Sequence, residues 1–299
     1  MVRFLKIVGM IVFFLLVTLS CNAWSDNIVG TEIIQLKTAD GISLSGVLHQ
    51  RHPISNRTGL VMVHGYSGNF YSGIMGFLPK ALAGLGYTTL AMNMRDHDRT
   101  PKKNLFEENR LDIAATVDEM ARRGFDPIFL YGHSMGTNRV LFYLADTHDP
   151  RIAGLILTGP PGNLFQWNVR IFGKETATRV LGQAQDLVAS GKGDQWMLIN
   201  LGPLGKALYT ANHLVSLRGP KTVSDPFKNI ARVAKPILIV HGLSDRLAEH
   251  TVADQLKSSA AAGNKVSVIK IAGADHSFFN HQMDLVETVN RWLKEQVQP

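Results

Sequence analysis

Cysteine is nearly missing: the chain of 299 residues has one, Cys21. A disulfide framework and any cysteine-built zinc or iron–sulfur site are thereby excluded. Charge is sparse too, at 18% of residues against 45% hydrophobic ones. That is too little charge for a disordered polymer, and enough apolar material for one large core or two small ones. The 27 glycines and 12 prolines are scattered rather than phased, which excludes collagen-like and low-complexity architectures. No repeat of fixed period suggests a solenoid or propeller. The net charge of +7 comes without a basic stripe or recognisable module, so nucleic acid is not an expected partner.

The longest apolar run lies at the start. Arg3 and Lys6 precede a stretch at 7–19 that would rise only about 20 Å as a helix, short of a bilayer core of roughly 30 Å. Small residues follow at Ser20, Cys21 and Ala23, the pattern of a secretory signal spanning 1–23. Cleavage would leave a thiol-free chain beginning at Trp24, suited to an oxidising compartment such as the periplasm or the medium. Two alternatives use the same residues. One is a lipoprotein anchored through Cys21, although Thr18 and Leu19 depart from the usual residues of such a signal. The other is an uncleaved anchor lengthened by Phe4 and Leu5.

Period-2 patterns at 32–37 and 43–50, with Asp40-Gly41 between them, predict an antiparallel hairpin. Beyond it, short and wholly apolar runs at 59–63, 88–94, 127–131, 152–157, 236–240 and 266–271 alternate with helix-period segments at 72–86, 104–124, 136–147, 247–263 and 278–296. Continuous apolarity suits strands covered on both faces, and the alternation predicts a mostly parallel, doubly wound α/β sheet. The rhythm breaks once. Some seventy residues at 163–233 separate two strands that a crossover of about twenty to thirty would normally join. The segment is read as an insertion packed over the sheet, with helical pieces at 175–189 and 196–201, and the core as 24–162 plus 234–299. Nine basic residues of this block (Arg170, Lys174, Arg179, Lys192, Lys206, Arg218, Lys221, Lys228, Arg232) face four acidic ones, whereas both flanking parts are balanced. The block is therefore expected to favour anionic substrates or surfaces, with a merely solvated outer face as the competing explanation.

Gly132-His133-Ser134-Met135-Gly136 follows a strand and opens a helix. The glycines permit a sharp strand-to-helix turn that would expose the Ser134 hydroxyl above the sheet edge. A serine needs a base and a carboxylate to orient that base. His276 follows the last strand and Asp245 the one before it, giving the order Ser134, Asp245, His276. His281 and Asp275 are the weaker competitors. The backbone N–H groups of Tyr66 and Met135 are expected to serve an oxyanion, with His64 and Gly65 shaping the first of those loops. Asp96-His97-Asp98 is read as a loop paired with Arg95 and Arg99 rather than a metal site. Trp167 and Trp196 are the aromatic candidates for lining a pocket.

With these residues in view, the chain resembles α/β-hydrolase fold serine hydrolases, in particular the lysophospholipase, monoacylglycerol lipase and serine aminopeptidase-like branch. The resemblance spans roughly 30–299, and the inserted block falls where that family carries its lid. It implies a cofactor-free and metal-free enzyme acting on a small ester or lipid, with peripheral membrane contact as a possibility; the oligomeric state is left open. Amide or peptide hydrolysis, or a non-catalytic binding module on the same fold, are the alternatives. One departure is visible. Where many relatives carry a glycine-rich stretch after the fourth strand, this chain reads Asn93-Met94-Arg95-Asp96-His97-Asp98-Arg99-Thr100, a stretch without glycine, which bears on the loop shape near the acyl pocket and so on substrate class.

Overall fold

The computed structural model describes residues 28–54, 56–200 and 205–297. The expected signal segment, with Cys21, lies outside them. Among the described residues no helix is long and apolar enough to cross a membrane.

Strands β1 (Ile28–Lys37) and β2 (Ser43–His52) form the antiparallel hairpin, longer at both ends than its sequence pattern. Then follow β3 (Gly59–Val63), α1 (Leu78–Gly84), β4 (Thr88–Met92), α2 (Asn109–Arg122), β5 (Ile128–His133), α3 (Met135–Thr147) and β6 (Ile152–Thr158). After the insertion come β9 (Ile237–Gly242), α8 (Thr251–Ser259), β10 (Val266–Ile271) and α9 (Gln282–Val297). One eight-stranded sheet results, in the order β1-β2-β4-β3-β5-β6-β9-β10, parallel from β4 onward.

The apolar runs are continuous because successive side chains enter different cores. Val61, Val63, Leu130, Ile237 and Ile239 pack with Ile113 and Val117 of α2, Val140 of α3 and Leu256 of α8. Their neighbours Leu60, Met62, Phe129, Tyr131, Leu238 and Val240 pack on the opposite face with Leu78 and Leu82 of α1 and Leu285, Val289 and Trp292 of α9. Each strand thus serves two hydrophobic layers, as a doubly wound sheet requires. The edge strand β10 is the exception, alternating between half-buried and exposed.

The segment between β6 and β9 holds α4 (Leu164–Phe172), α5 (Lys174–Ala189), β7 (Trp196–Asn200), β8 (Lys206–Thr210), α6 (Ala211–Arg218) and α7 (Pro226–Ile230). The helical reading of 196–201 is corrected here. β7 is a strand paired antiparallel with β8 in a separate two-stranded sheet. Its apolar residues alternate in burial: Ile199 is buried and Met197 half-buried, while Trp196 and Leu198 face outward. A short apolar run of this kind does not by itself separate helix from strand, and pairing across to β8 decides it.

The insertion is tied to the sheet on two sides. On one, Trp167 Nε1 and Arg170 Nη1 both donate to the Leu247 carbonyl at 2.7 Å, and Arg170 pairs with Glu249 at 3.0 Å. On the other, Lys102 N–H donates to Leu208 O and Thr210 N–H to Lys102 O, each at 2.9 Å.

Candidate active site

Loops leaving the C-terminal ends of β3, β5, β9 and β10 converge on one cavity of about 210 Å³. The turn after β5 is sterically forced. A Cβ on Gly132 would collide with the Gly136 carbonyl, and one on Gly136 with the carbonyls of Val63 and His64. Ser134 between them takes φ 53° and ψ −126°, a conformation that costs a non-glycine residue about 1–3 kcal/mol. Its N–H donates to Thr158 O at 2.9 Å, and the Thr137 hydroxyl donates to its carbonyl at 2.7 Å, so the surrounding structure holds the strained turn. Ser134 and His276 both line the cavity.

His276 Nδ1 lies 2.7 Å from Asp245 Oδ2. With Asp245 ionised, Nδ1 carries the proton and Nε2 is left as a base. The carboxylate is held from every side. Its Oδ1 accepts the N–H groups of Leu247 and Ala248, each at 2.8 Å, and Nε2 of the fully buried His241 stands 3.2 Å from Oδ2. Burial by itself would raise the Asp245 pKa, but the hydrogen bonds from His241 and His276 outweigh it and keep the carboxyl well below its ordinary range. The competitors are engaged elsewhere. Asp275 Oδ1 accepts the N–H groups of Ser277 and Phe279, and His281 pairs with Asp284 at 2.7 Å.

In the loop after β3, His64 Nδ1 donates to Gly65 O at 2.8 Å while Nε2 accepts Met94 N–H at 3.0 Å. One proton satisfies both bonds only in the neutral ring. Burial, then Arg139 nearby, depresses the His64 pKa to about 3, so the ring stays neutral and braces the loop. Gly65 passes so close to the serine that a Cβ there would lie 2.8 Å from Ser134 Cβ. Beyond it, the N–H groups of Tyr66 and Met135 make no hydrogen bond to another described residue, and both residues line the cavity. Two unengaged donors on loops beside the serine are of the kind an oxyanion would use.

The glycine-free stretch after β4 is organised differently from the expected pairing with Arg95 and Arg99. Asp96 is buried and paired with buried Arg139 of α3, both of its oxygens 2.6 Å from Nη2. Arg95 instead binds Asp40, Glu108 and Asp112, and His97 pairs with Asp98. The Lys102 ammonium fills the loop, donating to the carbonyls of Asp96, His97 and Asp98 at 2.5, 3.2 and 2.6 Å. The loop is therefore shaped around an internal cation instead of glycines. Burial lowers the Lys102 pKa to about 8.

Three residues at the site are given no role by the sequence. His241 supports Asp245. His133 bonds Thr158 Oγ1 at 3.2 Å and lies 4.8 Å, centroid to centroid, from the His276 ring. Burial, and then His276 beside it, holds the His133 pKa far below that of a free histidine. Arg218, at the end of α6, lines the cavity with Leu164, Trp167 and Tyr209 of the insertion. His241 and His133 sit one or four residues from motif positions, a proximity that signals them; nothing local in the sequence signals Arg218. Of the two tryptophans, Trp167 lines the cavity, whereas Trp196 stands exposed on β7. Among the described residues no cluster of His, Cys, Asp and Glu side chains is grouped to hold a metal ion.

A half-buried elbow serine sharing one cavity with a carboxylate-bound histidine, on an eight-stranded, mostly parallel sheet, defines an α/β hydrolase. The chain belongs to the alpha/beta hydrolase family, whose model matches residues 60–289. It is 25% identical over 249 residues to phospholipase YtpA of Bacillus subtilis, an alignment covering 74% of this chain and 88% of that protein. Its fold is that of Est1E from Butyrivibrio proteoclasticus (TM-score 0.66, 19% identity, 89% of this chain and 98% of that one). The Pyrococcus furiosus esterase Pf2001 shares it as well (TM-score 0.63, 16% identity, 89% and 90% covered).

Proposed function

We propose that this hydrolase is an exported serine esterase that cleaves a carboxylic ester of a lipid or small acyl compound through an acyl-enzyme. Ser134 Oγ attacks the ester carbonyl as His276 Nε2 takes its proton, and Asp245 orients the ring and stabilises the imidazolium. The tetrahedral oxyanion is held by the N–H groups of Tyr66 and Met135. Collapse expels the alcohol, protonated by His276. A water then gives its proton to the same nitrogen, attacks the acyl carbon, and releases the acid and Ser134. The segment over the cavity acts as a cap that walls the acyl pocket with Leu164 and Trp167.

The observation that carries this reading is the 2.7 Å Asp245–His276 bond beside the strained Ser134 in one cavity. Esters are favoured over N-terminal peptides because no carboxylate lines the cavity among the described residues, so an ammonium group would find no counter-charge there. The phospholipase relative supports a lipid-like ester.

A fluorophosphonate probe should label the wild-type chain and not Ser134→Ala, and a series of p-nitrophenyl esters should rank the acyl length. Labelling retained by Ser134→Ala would overturn the assignment. For export, the intact mass of protein recovered from an exporting host should begin at Trp24. A diacylglyceryl increment on Cys21 would replace that with the lipoprotein alternative.

A further inference from the structure

Arg218 is anomalous among the buried charges. Only 6% of it is exposed, Nε and Nη1 are sealed from solvent without a hydrogen-bond partner, and no ion pair reaches it from any described residue. Burying a guanidinium costs several kcal/mol of desolvation, which here the Tyr209 ring offsets only in part and no carboxylate among the described residues offsets at all, and a cation this burdened calls for an anion that arrives with the ligand. The neighbouring cations differ: Arg139 is paired with Asp96, and Lys102 is wrapped by carbonyls with Asp96 and Asp98 close by.

A second polar group in the same state stands next to it. Tyr209 is fully buried, lines the same cavity, and its hydroxyl, close to Tyr66 and Arg218, makes no hydrogen bond of normal geometry. Arg218 Cζ lies 5.7 Å from the Tyr209 ring centroid. His213 also stacks on that ring at 5.0 Å and 12°. Its Nδ1 is 2.6 Å from Asn104 O, and burial lowers its pKa to about 4, so it adds packing and no charge. Tyr209 is thereby locked, and Tyr209 and Arg218 together line the cavity that holds Ser134, with their polar atoms just behind its wall.

We propose that Arg218 and the Tyr209 hydroxyl form an anion subsite inside the substrate cavity, so that the preferred ester carries a carboxylate or phosphate group that docks there while its carbonyl lies at Ser134. A planar fork of N–H donors suits both oxyanions. The inference rests on the serine esterase reading for its reaction and on the cavity alone for its binding. It also relocates the electrostatic preference expected from the basic insertion. Lys174, Arg179, Lys192, Lys206, Lys221, Lys228 and Arg232 lie on outer, exposed positions, and Arg170 is spent on the Leu247 and Arg246 carbonyls and Glu249. Of the nine basic residues described in the insertion, Arg218 alone lines the cavity that holds Ser134.

The test has a catalytic and a non-catalytic arm. In the first, kcat/KM is measured for a p-nitrophenyl hemiglutarate and for the neutral valerate ester of equal acyl length. Arg218→Gln should lower the ratio of the hemiglutarate value to the valerate value by about 30- to 100-fold, the scale of one charge-assisted contact. Tyr209→Phe should produce a smaller loss confined to the anionic ester, and it tests the idea even where Arg218→Gln folds poorly. Both preferences should persist at 0.5 M salt, because a buried contact is screened little. In the second arm, glutarate and glycerol 3-phosphate are added to the inactive Ser134→Ala chain with Arg218 intact and replaced. A rise in Tm that vanishes in Ser134→Ala/Arg218→Gln supports the subsite independently of turnover, and the more effective ligand tells a carboxylate from a phosphate headgroup. Anion-dependent stabilisation without any ester hydrolysis would leave the subsite standing and remove the esterase reading. Equal losses for both esters on Arg218→Gln, with no anion-dependent shift in Tm, would overturn the subsite.

Discussion

The hydrolase body and the insertion treat buried charge in opposite ways. In the body, Asp96 meets Arg139, Asp112 meets Arg95, Asp149 meets Arg151, and Asp245 is satisfied by two histidines and two backbone N–H groups. In the insertion, Arg218 is buried with the Tyr209 ring beside it and no carboxylate partner among the described residues. Compensated charges of the first kind hold loops in place, because removing one partner strands the other in a medium that cannot solvate it. An uncompensated charge holds nothing within the protein. The contrast separates groups that serve the fold from groups that wait for a ligand.

The largest effect breaks the body's own machinery. Ser134→Ala and His276→Ala should each lower esterase kcat by about 10⁴-fold or more, and the double variant should be little worse than either, since residues that act as a unit are not additive. Unfolding midpoints should stay close to wild type for Ser134→Ala, so a loss accompanied by unfolding would break the interpretation.

Next, the two arginines can be set against one another. Arg139→Met leaves Asp96 buried and unpaired and should destabilise the chain by about 3–5 kcal/mol. Arg218→Met removes a cation that has no carboxylate partner among the described residues and should leave stability unchanged or raise it. Urea unfolding of both variants measures this, and equal destabilisation would erase the distinction between the two regions.

Asp245 offers a pH test within the body. Its native pKa lies below the unfolded value of about 3.9. The stability it contributes is therefore complete above about pH 5 and drains away as the pH falls through and below 4. The stability gap between wild type and Asp245→Asn should be constant from pH 5 to 8 and shrink in acid. A gap that widened in acid would mean the carboxylate is not held by His241 and His276.

The smallest effect concerns the strained turn. Ser134 at φ 53° is in a conformation glycine adopts without a Cβ clash, so Ser134→Gly should be more stable than Ser134→Ala by about 1 kcal/mol, read as a higher Tm. A lower Tm for the glycine variant would show that the elbow is not strained.

Much of this molecule was legible before any coordinates. The wholly apolar runs marked strands that feed two cores, and the loops that follow them had to meet at one edge because parallel strands all end on the same side. That geometry is why Ser134, Asp245 and His276, each just past a strand, meet at one edge of the sheet. The 196–201 segment was not legible, because five apolar residues suit either period until a partner strand is known. The pairing of Asp96 escaped for a related reason: its partner is 43 positions away, and adjacent Arg95 and Arg99 offered nearer but unused alternatives.

Sequence by itself determined the doubly wound sheet, the glycine-bounded elbow and the chain order of the site residues, since each follows from local period, local sterics or the fixed polarity of parallel strands. Tertiary structure alone decided which charges are buried and which of those find a partner. A side chain's solvation depends on atoms brought from distant positions, so Arg218 reads like eight other basic residues in the insertion until packing turns it toward the cavity, and Lys102 reads as a surface lysine until a loop closes around its ammonium.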